Sequence, residues 1–461
     1  MTANAFAYFA LAAWPFVGLW LFSRLPLTQA ILWTILGGYL LLPVGVSLKI
    51  EGVPAFDKES IPNLTALLGS ILVTRRLPRF RTGYLIADLA LLAFLVGPFI
   101  TSELNGDMIV VGKTFLPGVG HYDALSAAVG QFLFIIPFFL GLQFLRSARD
   151  TREILRVLVI GGLFYSIPML FEIRMSPQLQ GWIYGTSGSG FLQQIREGGF
   201  RPVVFLGHGL LVAFFAMTAF VASVVFLRTR ERALWLLPAG VTASYLGVLL
   251  ILCKTLGALI FATALAPAVF FLKPRVQILI ATVFAAIALL YPTLRAADMV
   301  PTNEMVDLAN SYSPERAESL GFRFNQEQQL LVRARERFFF GWGRFGRNRI
   351  YDEYSGKDLS VTDGRWIITM GQFGFIGFLA EFGLLAYPIF RALSTLRFAE
   401  IPNGRLYLAA IALILAANIL DLIPNSSIRP WTWLLAGTLL GRGEVLNLTK
   451  RQQATIHVNS W

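Results

Sequence analysis

Long apolar segments alternate with short polar ones along almost the whole chain. Many of the apolar runs approach or exceed the roughly 20 residues that a helix needs to cross a bilayer. The pattern therefore predicts an all-α, polytopic membrane helix bundle with about 12 to 13 transmembrane helices. The candidate spans are residues 5–22, 30–48, 61–73, 84–100, 124–145, 154–171, 202–227, 234–252, 256–272, 276–294, 366–390, 406–422 and 430–440.

One polar interruption, residues 295–365, is much longer than the others and divides the chain. We predict N-terminal transmembrane helices in residues 1–294, a long and partly helical loop in 295–365, and C-terminal transmembrane helices with a tail in 366–461. A loop longer than about 15 residues without structure of its own is usually functional. The loop is therefore the first place to look for chemistry.

Basic residues predict how the bundle is oriented. Short loops rich in Lys and Arg lie on the cytoplasmic side of a membrane, and an even number of predicted spans separates each basic loop from the next. The opposite face then receives residues 101–123, 174–201 and 295–365, and in a bacterium this face is the periplasmic side of the inner (cytoplasmic) membrane. The basic segments are residues 74–81, 146–156, 228–232, 273–275, 391–397 and 442–451.

The composition agrees with this pattern. Hydrophobic residues make up 56% of the chain and charged residues only 14%, whereas a soluble globular protein carries about 25% charged residues. The net charge is +12. Because most basic residues stand in loops that set topology, we do not expect nucleic acid as a partner.

Within the long loop, residues 323–349 contain seven arginines and only two acids. Residues 325–340 are predicted to form a helix, with Leu330, Phe338 and Trp342 against membrane or protein and Arg333 and Arg337 on another face. Three glycines then end this helix and let backbone approach a ligand. They are Gly341, Gly343 and Gly346.

Arginine is scarce outside the cytoplasm, so this cluster indicates an anionic ligand. Planar, permanently charged guanidinium groups bind phosphate oxygens in a bidentate fork, and a lipid-linked phosphate or pyrophosphate is the natural anion beside a membrane. The alternative is a solvated helix face whose arginines pair with nearby acids. Those acids would be Glu315, Glu318, Asp352 and Glu353.

Arg201 and His208 form a second candidate site at the outer end of the predicted span 202–227. Seven positions apart, they would lie about two turns along one helical face. A single histidine on a helix is often only a packing residue. Here glycines flank His208 and an arginine accompanies it, so both interpretations stay open.

Ionisable residues inside predicted spans are costly in lipid and need partners. They support either a transport pathway or an internal polar network that holds the spans together. Asp57 and Glu59 formally resemble the acidic pair that some lipid-dependent glycosyltransferases use for a metal, but no metal is predicted from one match without a histidine nearby. The intramembrane residues are Asp88, Glu172, Glu381 and Asp421, with Lys254 near a span end.

From Arg323 onward, the spacing resembles that of the O-antigen ligase and Wzy-type polysaccharide polymerase family. Arg323 is followed by Gly341-Trp342-Gly343, then by Asp363, then by a glycine-rich span start in residues 371–377. The segment around Arg201 is similar to the family's arginine-bearing lead into a middle span. The match covers residues 198–385. Ligases of the family usually have a histidine where this chain has Asp363, which favours a polymerase.

The resemblance implies a metal-independent, inverting glycosyltransferase that needs no cofactor. The donor would be a glycan on undecaprenyl pyrophosphate and the acceptor a sugar hydroxyl, at the periplasmic face. Arg201 and Arg323 would hold the leaving pyrophosphate, and Asp363 or His208 would orient the acceptor hydroxyl or take its proton. Further pyrophosphate contacts would come from Arg333, Arg337 and Arg344.

Membrane lipids and a chain-length regulator or flippase are the other partners implied. Three alternatives remain at this point. The first is a ligase that transfers the glycan to lipid A core, and the second is a transporter or flippase of a lipid-linked or anionic sugar. The third is a non-catalytic scaffold, which would tolerate loss of the arginines.

Overall fold

A computed structural model describes residues 2–49, 54–188, 190–196, 198–399 and 402–458. The fold is 71% helical with almost no sheet. Two short hairpins pair β1 (Ile109–Val111) with β2 (Thr114–Leu116) and β3 (Ile195–Arg196) with β4 (Gly199–Phe200). The helices of these residues are α1 Ala5–Arg24, α2 Leu27–Leu41, α3 Ser60–Thr74, α4 Leu85–Glu103, α5 His121–Phe144, α6 Ala148–Met175, α7 Leu179–Tyr184, α8 Gly209–Thr229, α9 Ala239–Leu252, α10 Leu256–Phe271, α11 Pro274–Ala296, α12 Thr302–Tyr312, α13 Pro314–Glu336, α14 Arg365–Thr395, α15 Pro402–Asp421 and α16 Pro430–Val458.

The predicted all-α polytopic bundle is confirmed. Each of the thirteen predicted spans overlaps a helix. Eight helices in the described part of the chain are long and apolar enough to cross a membrane. Four shorter apolar helices, α2, α3, α9 and α10, stand among them. The chain is therefore a multi-pass membrane protein.

The structure corrects the bounds of three predicted spans, since residues 42–48, 202–208 and 234–238 are not helical. The span predicted from residue 202 becomes helical only at Gly209, because the backbone at Val204 and Gly207 has positive φ and breaks the helix. The Glu172 carboxylate instead accepts the amide N–H groups of Val203 and Val204, both at 2.7 Å. Residues 201–208 thus form a buried, non-helical segment.

The basic loops gather at one end of the bundle. Arg146 pairs with Glu444 at 2.6 Å, and Arg152 pairs with Glu231 at 2.5 Å. The described parts of residues 101–123, 174–208 and 295–365 lie at the other end, where Thr101 and Asn105 donate to the carbonyl oxygens of Phe340 and Gly341 and the charges of Arg323 and Asp363 act on His208. We call this second end the loop face. The separation of the two sets matches the pattern used to predict orientation.

Close helix packing rests on small residues. Added Cβ atoms at Gly437 and Gly441 on α16 would stand 1.9 and 2.3 Å from the backbone oxygens of Phe138 and Leu142 on α5. Only glycine permits this approach, as in other small-residue interfaces between membrane helices. Helix α15 lies at the centre of the bundle and contacts α6, α8, α11, α14 and α16.

Helix α14 is broken at Gly374, where φ is 69°. The carbonyl groups of Gly371 and Gln372 accept the N–H groups of Trp342 and Gly343 at 2.8 and 2.9 Å. In return, residues 375 and 376 donate to the carbonyl oxygens of residues 338 and 339. Residues 338–343 of the long loop therefore supply the backbone hydrogen bonds that the break removes, which a membrane interior requires.

The intramembrane acids have the partners that the sequence requires. Glu381 binds Arg365 through both carboxylate oxygens and accepts the Thr369 hydroxyl. Asp421 pairs with Arg429 at 2.7 Å. Asp88 accepts the Thr82 amide and hydroxyl, and Glu172 accepts amides as described above. These contacts tie structural elements together, as the internal-network hypothesis predicts.

Candidate functional site

The long loop is partly helical, as predicted, and carries α12 (Thr302–Tyr312) and α13 (Pro314–Glu336). The helix predicted over residues 325–340 is α13, which begins at Pro314 and ends at Glu336. It ends early because residues 338–343 turn to pair with the broken helix α14. Leu330 is buried against the protein, as predicted.

Arg333, Arg337 and Trp342 form one cluster, which corrects the predicted separation of Trp342 from the arginines. Both guanidinium groups lie over the Trp342 ring, 3.4 and 4.5 Å from its centroid. The Trp342 indole N–H donates to the Arg333 carbonyl at 2.8 Å. Arg337 also binds the Leu104 carbonyl and pairs with Asp107. This cluster lies against the end of α4 at the loop face.

Arg347 in the same stretch is completely buried and was not singled out from the sequence. It donates to the Trp342, Asp107 and Pro117 carbonyls and to the Asp107 carboxylate at 3.2 Å. These bonds fix the loop to residues 107–117, so Arg347 has a structural role. Its burial follows from tertiary contacts that no local spacing reveals.

The alternative of a solvated, acid-paired face holds for some of these arginines, with different acids from those predicted. Arg333 pairs with Glu336, Arg337 with Asp107 and Arg349 with Asp358, whereas the buried Arg347 shares Asp107 with Arg337. Arg344 forms no ion pair within the described ranges and lies over the ring of Phe345. The assignment of Arg333, Arg337 and Arg344 to pyrophosphate stays a prediction.

The three loop glycines have positive φ, as their predicted role requires. They approach protein, however, and not an open site. An added Cβ at Gly341 would stand 2.6 Å from the Gln372 backbone, at Gly343 3.2 Å from Val119, and at Gly346 2.4 Å from the Tyr351 hydroxyl. The Cβ sides of these glycines therefore face protein, and their approach to a ligand stays a prediction.

The other four candidate residues come together at the loop face. The Arg323 guanidinium pairs with the Asp363 carboxylate at 3.2 Å, and both side chains are about one third exposed, at 37% and 38%. The charges of Arg201, Arg323 and Asp363 all act on His208. We call these four residues the arginine–histidine site. The four residues are far apart in the sequence, which predicted one function for them, and the fold brings them close enough for their charges to act on His208.

Arg201 and His208 do not share a helical face, contrary to the prediction. Both precede α8, in the non-helical segment that Glu172 holds. His208 is the N-cap of α8, and its Nδ1 accepts the Leu210 amide at 3.0 Å. The two side chains are neighbours because the segment turns, which helical periodicity could not predict.

The Arg201 guanidinium is buried with little compensation. Only 5% of the residue is exposed, and its Nη2 donates to the Thr255 hydroxyl at 3.0 Å. Its Nε is buried and donates to no group in the described part of the chain. Burial and the nearby Arg196 charge lower the pKa of Arg201. A buried cation with an unused donor is completed by a bound anion.

His208 is a neutral hydrogen-bond donor in this setting. Burial, followed by the charges of Arg201 and Arg323, lowers the pKa of the imidazole below its usual value. Because Nδ1 accepts the Leu210 amide, the neutral ring carries its proton on Nε2. The ring therefore presents an N–H group to a ligand.

We expect the His208 pKa to lie below that of a free histidine and to rise when an anion binds. The added negative charge offsets the two arginines that disfavour protonation. Titration of ¹³C-labelled imidazoles by NMR, with and without inorganic pyrophosphate, measures both values, and a His208→Asn variant assigns the resonance. A normal pKa that pyrophosphate leaves unchanged would contradict the arrangement.

The absence of a side chain at Gly209 leaves room for the Arg201 guanidinium. A Cβ at this position would stand 2.8 Å from the Gln194 side-chain oxygen and 3.2 Å from Arg201 Nε. We expect Gly209→Ala to displace the guanidinium and to weaken pyrophosphate binding at least about tenfold, measured by calorimetry. The matched control is Gly257→Ala at the start of α10, where an added Cβ meets nothing within 4 Å. Equal affinities in the two variants would refute this role.

Sequence reasoning missed Arg196, Thr255 and Gly209. Arg196 lies on the β3–β4 hairpin, and its charge acts on both Arg201 and His208. Its position five residues before Arg201 in one outer loop was a usable signal. Thr255 follows a left-handed residue, Lys254, between α9 and α10, and nothing local marks it as a partner of Arg201.

No protein-family model matches this sequence, and no curated protein matches it either.

Proposed function

We propose that this protein is a membrane-embedded glycosyltransferase that lengthens a polysaccharide. It transfers a glycan from a lipid-linked pyrophosphate donor to a sugar hydroxyl at the loop face, in the periplasm of a bacterium. The observation that carries the proposal is the buried, incompletely bonded guanidinium of Arg201 beside Arg323 and neutral His208. Among the charges that act most strongly on His208, three belong to Arg201, Arg323 and Arg196 and one to Asp363, so positive charge is in excess.

The leaving group explains why such a site would catalyse transfer. When the bond from the anomeric carbon to pyrophosphate breaks, negative charge develops on the departing phosphate oxygens. Fixed cations and N–H donors that meet this charge stabilise the transition state more than the ground state. Arg201 and Arg323 supply the cations and His208 Nε2 supplies a neutral donor.

Asp363 has a supporting role in this arrangement. Its ion pair with Arg323 at 3.2 Å fixes the position of that guanidinium. Asp363 thus fits a positioning residue better than a proton acceptor, and the His208 tautomer favours donation.

A lipid-linked donor suits the surroundings. An apolar groove of about 430 Å³ runs along the bundle between α4, α11 and α14. Its lining includes Leu89, Leu289, Ile376 and Leu379, which offer only hydrocarbon to a ligand. Ile376 also bonds to Phe339, so the groove reaches the base of the arginine-bearing loop. An isoprenoid chain in the groove would leave its pyrophosphate on the loop side.

The distribution of charge favours an enzyme over a transporter. A transport pathway needs ionisable groups that face a route through the bundle. Here Glu381, Asp421 and Glu172 are engaged by Arg365, Arg429 and backbone amides. By contrast, the arginine–histidine site lies at the loop face.

Purified protein mixed with a lipid-pyrophosphate oligosaccharide tests the proposal. Growth of the glycan in the absence of any other acceptor is the expected result. Transfer that requires an added lipid A core acceptor would make the protein a ligase. If neither occurs while vesicles containing the protein move the lipid-linked sugar across the bilayer, the transporter hypothesis replaces the enzyme.

A further inference from the structure

A second cavity opens at the loop face beside the arginine–histidine site. Its volume is about 470 Å³, within the range of pockets that hold small ligands. Leu206 and Leu211, on either side of His208, form one wall, so the cavity lies next to the segment that carries His208. The other walls come from residues 43–47, 57–59 and 427–429.

The cavity differs from its neighbour in charge. Asp57, Lys58, Glu59 and Arg429 line it, two acids and two bases, whereas cations dominate the arginine–histidine site. A balanced set of donors and acceptors with an aromatic ring, Tyr39, suits a neutral polyhydroxyl compound better than an ion. A saccharide has this chemistry.

Three of the four charged residues are already engaged. Asp57 caps α3, where its carboxylate accepts the Ser60 amide and hydroxyl at 2.9 Å. Lys58 donates to the Phe205 carbonyl at 2.6 Å and lies over the Tyr39 ring. Arg429 is held by Asp421 and Asn418. These contacts fix the three side chains in the walls of the cavity.

Glu59 is the exception. Within the described ranges, its carboxylate makes no hydrogen bond or ion pair, while its own amide is fixed by Asp57 at 3.0 Å. The carboxylate thus stands at the start of α3 on a rigid backbone and faces the cavity. Residues that act on a substrate are held on rigid elements with the functional group free to contact it, and Glu59 has this arrangement.

The groups around Glu59 keep its carboxylate usable as a base. Burial and the Asp57 charge raise its pKa to about 7, against the opposing effects of Lys58 and of Arg365 on α14. Burial lowers the pKa of Lys58 to about 7 as well. Tyr39 on α2 and Arg429 complete the surroundings. A base is most effective when its pKa lies near the working pH.

We propose that this cavity binds the acceptor saccharide and that Glu59 takes the proton of its attacking hydroxyl. The inference rests on the proposed glycosyl transfer and adds its second substrate site. The hydroxyl oxygen forms a bond to the donor's anomeric carbon as its proton passes to the Glu59 carboxylate. The bond from that carbon to pyrophosphate breaks, and its electron pair leaves with the pyrophosphate held by Arg201 and Arg323.

Glu59→Gln tests the proposal, since it keeps the shape and removes the base. We expect kcat to fall by at least about 100-fold, with unchanged affinity for inorganic pyrophosphate and an unchanged unfolding midpoint. In the wild type, kcat/KM should fall below about pH 7, and Glu59→Asp should retain part of the rate with this limb shifted to lower pH. Glu353→Gln, on an exposed loop-face glutamate, is the matched control and should behave as wild type.

Filling the cavity gives an independent test should Glu59→Gln fold poorly. Ser47 lines the cavity, so Ser47→Phe should raise the acceptor KM at least about tenfold and leave pyrophosphate affinity unchanged. Full activity of Glu59→Gln, or a higher acceptor KM with unchanged kcat, would overturn the role of Glu59. An unchanged acceptor KM in Ser47→Phe would overturn the site. An inactive wild type would instead refute the proposed glycosyl transfer.

Discussion

Arg201→Ala and Arg323→Ala, made separately, are each expected to lower the rate of glycan lengthening by at least about 100-fold. Loss of one fixed donor to developing negative charge typically costs two to three orders of magnitude in rate. The larger effect should come from Arg201, because its guanidinium is buried beside Gln194 and Thr255 and water cannot replace it well. Arg323 is about one third exposed, so Arg323→Lys should keep more activity than Arg201→Lys.

Chain-length ladders on gels and single-turnover rates measure these effects. Arg349→Ala is the matched control, since Arg349 belongs to the same arginine-rich stretch but pairs with Asp358 away from the site. It should give near-normal ladders. Normal ladders from both Arg201→Ala and Arg323→Ala would remove the pyrophosphate-binding hypothesis. Normal membrane levels of each variant separate a lost function from a lost fold.

Gly374→Val is expected to destabilise the fold by about 3 kcal/mol or more. Its φ of 69° lies in the left-handed region, which a β-branched residue adopts only with strain. An added Cβ would also stand 2.3 Å from the Phe339 carbonyl, and backbone on both sides prevents relief. The variant should lose thermal stability in detergent and show protease cleavage in the long loop.

Gly383→Ala on the same helix is the control for this effect. A Cβ at Gly383 meets nothing within 4 Å, and the substitution should leave the unfolding midpoint unchanged or slightly higher. Equal stability of Gly374→Val and wild type would mean that the break in α14 does not exist in the membrane.

The positions of the spans could be read from the sequence because the bilayer imposes one length and one polarity on every helix. The same rule explains why the helix predicted over residues 202–208 is wrong. That segment is apolar but not helical, because the Glu172 carboxylate, thirty residues earlier in the chain, satisfies its backbone. Hydropathy reports burial, and it does not distinguish a buried turn from a buried helix.

The candidate site was partly predictable for a related reason. Arg201, His208, Arg323 and Asp363 stood out because charge in a membrane protein is rare, and their grouping follows from the loops that carry them. Which arginines are structural could not be foreseen, since Asp107 lies more than 200 residues from Arg337 and Arg347. Glu59 was considered only for a metal, and its unengaged carboxylate becomes visible only with the cavity around it.

The exchange of hydrogen bonds between residues 338–343 and the break in α14 has a consequence for biogenesis. Once the ribosome has synthesised the chain as far as residue 395, the two halves of α14 are complete. They can enter the lipid only if the preceding loop has already crossed the membrane and folded back. Translocation of some seventy polar residues and insertion of the following helix are thus coupled steps. If translocation of the loop stalls, α14 should remain uninserted and be cleaved by quality-control proteases.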